Sequence, residues 1–214
     1  MKLLNKSPSI LVLLCLFGGL AQPALAGNTK YVLDPYHTQV HFTWNHDGFS
    51  NPGATMDVKG GTFIWNAGTP TQSSVRVSIS ATSIYTGVPA LDAELKSTQF
   101  FDVGKYPTIT FKSTDVQHIG MSKHFRIIGN LTMHGITKLV TLHATLNKVG
   151  KLPMLHASAV GFDATATVKR SAFGLGAYTP LVSDLVTIRI TVQAVAPAAL
   201  KKETKEIKAM TASD

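Results

Sequence analysis

The chain has 214 residues, a formal net charge of +8, one cysteine and 44% hydrophobic residues. One cysteine excludes an internal disulfide framework, the apolar content excludes a disordered chain, and the length fits one domain with a sizeable core. The excess of Lys suits an anionic membrane surface or an acidic ligand, and equally an ordinary solvated exterior.

Residues 1–26 read as an export signal. Lys2 and Lys6 precede an apolar run from Ile10 to Leu20, and Ala24-Leu25-Ala26 supplies the small-x-small pattern cut by signal peptidase. The run is too short for a permanent membrane helix, which needs about 20 residues. Cys15 would suit a lipoprotein signal, but Leu14 before it is bulky where lipid attachment needs a small residue. Cleavage near Ala26 is expected, giving a periplasmic or secreted protein without a thiol nucleophile.

From Tyr31 to Ala196 the pattern has period two. Val40, Phe42 and Trp44 alternate with His41, Thr43 and Asn45, and Val75, Val77 and Ile79 alternate with Arg76, Ser78 and Ser80. The same holds for Phe162, Ala164, Ala166 and Val168, and for Val186, Ile188, Ile190 and Val192. These are half-buried antiparallel strands, about eight in number. Turns are predicted at Asn66-Ala67-Gly68, His118-Ile119-Gly120, His134-Gly135 and Val149-Gly150, and a bulge or bend at Gly60-Gly61.

Leu91 to Phe111 breaks the pattern. Leu91 and Leu95 share one face of a short helix, Phe100 and Phe101 follow as an aromatic pair, and Pro107 turns the chain into a strand where Ile109 and Phe111 share a face. With so many apolar anchors amid strands, this segment is a candidate lid over a β-structure. After Pro197 the composition turns to Lys and Ala, and residues 197–214 are expected to be a mobile tail with at most a marginal helix.

Motifs for chemistry are few. The eight histidines stand at 37, 41, 46, 118, 124, 134, 143 and 156, with no HExxH or His/Cys cluster, so no metal site is expected. His41 and His143 belong to the polar faces of their strands. No serine stands in G-x-S-x-G, and phosphate loops, dinucleotide fingerprints and basic-aromatic nucleic-acid patterns are missing. A site assembled from distant parts of the chain would leave no such trace.

Binding is therefore the leading reading. Phe42, Trp44, Phe63, Trp65, Ile79, Ile109, Phe111, Ile127, Leu131, Leu142, Phe162, Ile188 and Ile190 fall on one face of the strands, and Leu91, Leu95, Phe100 and Phe101 on the lid. They form either a filled core or the wall of a cavity. Gly129, Ala144, Ala164 and Ala166 on the same faces remove volume and favour a cavity.

YVLDPYHTQVHFTW, GGTFIW, LKSTQFFD, KYPTITFKST, GNLTMHGITKLVTL, ATVKRSAFGL and VSDLVTIRITV occur in an order that resembles the YceI-like polyisoprenoid-binding family, from about Tyr31 to Val195. Long alternating strands must stack as two sheets or close on themselves. The resemblance favours closure: an all-β, eight-stranded antiparallel lipocalin-like barrel over residues 27–196, with a short helix at one mouth. It also implies non-catalytic binding of a long polyprenyl or quinone-type lipid, with no other cofactor, and the pairing into a homodimer that the family often shows; the Lys excess adds the expectation of a transient membrane contact. Where the family often has an Arg-Asp-x-His-Leu run, this chain has Leu91-Asp92-Ala93-Glu94-Leu95, and loss of the two basic groups favours a neutral head group. Lys138-Leu139 replaces a common Lys-Pro, a change expected to matter only structurally. Two alternatives stay open: a lipid-modifying enzyme or stress-response factor reacting through His37, His46 or Arg170 at the rim, and a filled barrel acting as an interaction module.

Overall fold

Residues 27–211, which the computed structural model describes, form β1 (Thr29–Leu33), β2 (Gln39–Thr43), β3 (Gly53–Trp65), β4 (Ser74–Ser80), α1 (Pro89–Lys96), β5 (Thr108–His118), β6 (His124–Met133), β7 (Ile136–Leu152), β8 (Ala157–Lys169), β9 (Leu185–Val195) and α2 (Pro197–Thr211). The export signal expected over residues 1–26 lies outside the described residues. From β3 to β9 each strand pairs antiparallel with the next. β1 and β2 both lie between β3 and β9: Val32 faces Thr62 and Val195, while Val40 faces Met56 and Ile190. They are two halves of one interrupted strand, so the nine segments make a closed eight-stranded barrel.

The interruption, residues 34–38, follows from Asp34-Pro35, because proline cannot donate to a ladder. Side chains replace the missing bonds. Fully buried Asp34 accepts the Tyr36 N–H at 2.9 Å and Gln193 Nε2 at 2.7 Å, and Thr38 Oγ1 donates to the Gln193 carbonyl at 3.1 Å. The expected irregularity at Gly60-Gly61 is present: the β3–β4 register shifts between Val58 and Gly60, with Gly60 at φ +147°. At the predicted turn His134-Gly135 both residues are left-handed (φ 52° and 74°), which suits a two-residue hairpin between β6 and β7.

Two expectations need correction. Val149-Gly150 is not a turn but part of β7, opposite Val160 and Ala159; the chain reverses at residues 153–156, where Pro153 ends the ladder. The stretch expected as a mobile tail is helical from Pro197 to Thr211. Ala199 is buried against Ala159 and Val195 with Leu200 beside it, so α2 gains a packing face that a free tail would lack.

The main core is the barrel interior, and the small cluster under α2 lies outside it. α1 starts on Pro89, where a missing N–H costs nothing. Asp92 fixes the approach by accepting the Thr86 N–H at 2.7 Å and Thr86 Oγ1 at 2.6 Å, which holds its carboxyl below the usual range. The turns beyond the helix tie back to it through Phe101 N–H to Leu95 O at 3.0 Å and Val103 N–H to Lys96 O at 3.2 Å.

Candidate functional site

Strand alternation turns one apolar row from every strand inward, and the rows do not meet at the axis. They enclose a cavity of about 540 Å³, within the size range of small-molecule sites. One end is shut by aromatic rings packed edge to face. Phe162 meets Phe63 edge-on at 5.3 Å, Trp65 at 5.7 Å and Phe125 at 6.2 Å, while Trp65 meets Phe125 at 5.8 Å. These contacts, worth about 0.5–1.5 kcal/mol per pair beyond burial, make a rigid floor.

Of the residues expected to face the lumen, Phe42, Trp44, Phe63, Ile79, Leu91, Leu95, Phe100, Phe101, Ile109, Phe111, Ile127, Leu131, Leu142, Phe162, Ile188 and Ile190 line this cavity. Trp65 does not. It stands at the last position of β3, on the far side of the floor, with its indole Nε1 buried and unpartnered. Ala144 and Ala164 open space as expected, but Gly129 does not: a Cβ there would fall 2.5 Å from the Phe111 ring, which fills the place of the missing side chain. Ala166 is buried without lining the cavity.

At the other end the lid closes over the upper wall, with Phe101 at 6.1 Å from Phe42 and Phe42 at 5.8 Å from Trp44. The polar lining residues are Thr38, His46, Asp47, Glu94, Arg170 and Tyr178. Two loops meet at this mouth, where the Asp47 N–H donates to the Leu181 carbonyl at 2.7 Å; Phe49 and Leu181 stay exposed beside it. Leu33, Val40, Met56, Val58, Val75 and Val77 also line the wall; they obey the same alternation and could have been read from it. The loop residues His46, Asp47, Tyr178 and Leu181 carry no periodic signal.

Arg170 is buried and every guanidinium nitrogen donates to the surrounding chain. Nε donates to the Ser183 carbonyl at 2.8 Å, and Nη2 to the Val182 carbonyl at 2.8 Å and to Thr179 Oγ1 at 3.4 Å; Nη1 donates to the Leu175 carbonyl. Burial pulls the guanidinium below its usual pKa, with the charge of Asp184 opposing. The side chain therefore rivets the 170–184 segment across the mouth rather than offering a reacting group. His37 is also not at the rim. It lies on the outside of the wall, hydrogen-bonded to Asp34 at 2.6 Å, because the strand interruption carries it outward. His46 alone of the three expected rim groups lines the mouth without such engagement of its ring among the described contacts. The arrangement suits holding a largely apolar molecule.

Comparison with known proteins gives one consistent outcome. The YceI-like domain model matches residues 31–194. A UPF0312 protein of Pseudomonas putida is 35% identical over 155 residues, covering 72% of this chain and 80% of the relative. One from Pseudomonas syringae pv. tomato is 35% identical over 167 residues, covering 77% and 85%. Among solved structures, Burkholderia cenocepacia BcnA superposes with a TM-score of 0.64 at 22% identity, covering 75% of this chain and 98% of that one. A Campylobacter jejuni YceI protein gives 0.53 at 28% identity, covering 57% and 72%.

Proposed function

Because the chain belongs to the YceI-like domain family, we propose that it carries or stores one long isoprenoid lipid, of polyprenyl or quinone type, in the periplasm or outside the cell, without catalysis. The observation that carries this reading is the floored apolar cavity of about 540 Å³ with polar side chains concentrated toward its mouth. Such a cup rewards length and apolarity. Each buried CH₂ contributes about 0.8 kcal/mol, so a chain-like ligand gains affinity without directional contacts and is only loosely specified beyond its shape.

The head group would rest among His46, Asp47, Glu94 and Tyr178. Two carboxylates stand there and the guanidinium of Arg170 is spent on carbonyls, which favours a neutral head group over a diphosphate. Exposed Phe49 and Leu181 beside the mouth suit a brief membrane contact during loading. Native mass spectrometry of protein purified from its own host, followed by lipid extraction, tests the reading. One apolar isoprenoid per chain is expected; a bare polypeptide mass, or fatty acids alone, overturns it.

A further inference from the structure

Outside the cavity, on the opposite side of the wall, three potential ligand atoms converge. Asp34 Oδ2 and His37 Nδ1 come from the strand interruption, and Glu203 Oε1 from the second turn of α2. His37 Nδ1 lies 2.6 Å from Asp34 and 3.6 Å from Glu203, and all three atoms are within 4.8 Å of one another. We propose that Asp34, His37 and Glu203 form a binding site for a divalent transition-metal ion of the Zn²⁺ class, which fastens α2 to the barrel.

Charge is the first reason. Asp34 is 0% exposed, and a second carboxylate is brought up against it with one imidazole between them. Bringing two carboxylates together around one imidazole, one of them fully buried, is a costly arrangement without a cation between them. The hydrogen-bond account is also incomplete. Asp34 is satisfied by Tyr36, Gln193 and His37, but Glu203 Oε2 is buried with no partner. A divalent cation held by Oε1 would cancel both carboxylates and draw the unpartnered Glu203 carboxylate into the site.

Ligand type selects the metal. One imidazole and two carboxylates, a three-ligand set that water would complete, match Zn²⁺ and its neighbours, whereas Ca²⁺ wants six to eight oxygens. Tetrahedral bonds of about 2.0–2.1 Å set ligand atoms about 3.3 Å apart. The two His37 spacings of 2.6 and 3.6 Å bracket that value and the two carboxylate oxygens lie within 4.8 Å of each other, so binding would exchange the His37–Asp34 hydrogen bond for metal bonds with a small shift of the 55% exposed His37 side chain. Glu203 lies beyond the residues 31–194 matched by the family model, so this site depends on the chain's own C-terminal helix.

The test uses untagged protein stripped with EDTA and titrated with ZnCl₂ or CaCl₂ in a calorimeter, beside Glu203→Gln and His37→Ala. One equivalent of Zn²⁺ is expected to bind more tightly than Ca²⁺, and each substitution to weaken it by roughly tenfold or more. Zn²⁺ should also slow amide exchange in α2 of the parent protein but not in Glu203→Gln, a near-isosteric change on a surface helix that leaves the fold intact. Sub-stoichiometric Zn²⁺, tighter Ca²⁺, or unchanged affinity in either variant overturns the site and leaves the cluster a hydrogen-bonded clasp.

Discussion

Single positions separate the hollow barrel from a filled one. Phe162 holds the floor through three ring contacts, so Phe162→Ala should cost about 3–5 kcal/mol in denaturant unfolding. Phe111 also faces the cavity, and Phe111→Ala should lower lipid affinity in a displacement assay by more than it lowers stability. Equal affinity with a large melting drop would mean the ring serves protein rather than ligand. The partner of that ring gives a sharper check: Gly129→Ala sets a methyl 2.5 Å from Phe111 and 2.6 Å from the Lys112 carbonyl, and should cost about 1–3 kcal/mol. At the mouth, Arg170→Lys cannot reach the carbonyls of Leu175, Val182 and Ser183 together, and a stability loss of about 2 kcal/mol or more is expected from thermal melts. Most wall residues were legible from alternation because period two assigns a side without knowing the partner. Trp65 shows the limit: alternation says inward, but only the neighbours Phe125 and Phe162 decide between floor and cavity.

Among the elements, α1 and the aromatic pair behind it have the most direct bearing on binding. Leu91, Leu95, Phe100 and Phe101 line the cavity, and their apolar atoms gain a further partner only when it is loaded. Delipidated protein should therefore exchange amides faster across residues 88–103 than loaded protein, while residues 186–192 of β9 stay protected. Equal exchange with and without lipid would make α1 an ordinary structural helix. Leu95→Asp places a carboxylate at a buried position and should speed lipid release in a stopped-flow chase. The helix was legible from Leu91, Leu95 and Pro107 because its signals are local. α2 was not, since KKETKEIKAM is marginal alone and its burial depends on Ala159 and Val195, which only the fold brings near.

At the scale of the whole molecule, eight strands and closure were readable because alternating runs with little helix leave few ways to cover their edges. The interrupted first strand was not, since Asp34-Pro35 looks like a turn until both of its halves are found on the same two neighbours. That strand also sets the order of assembly. The junctions from β3 to β9 join strands consecutive in sequence, with α1 intervening between β4 and β5, whereas Val40 must find Ile190 across almost the whole domain. Closing so long a loop costs entropy before any contact repays it, which places this pairing late. Val40→Ala should then accelerate unfolding and leave the refolding rate nearly unchanged in a chevron plot; equal slowing of refolding would place the seam in the nucleus. Until that zip is drawn the protein is an open curved sheet with its greasy side bare, a cargo hold without a hull, and no passenger can be kept aboard.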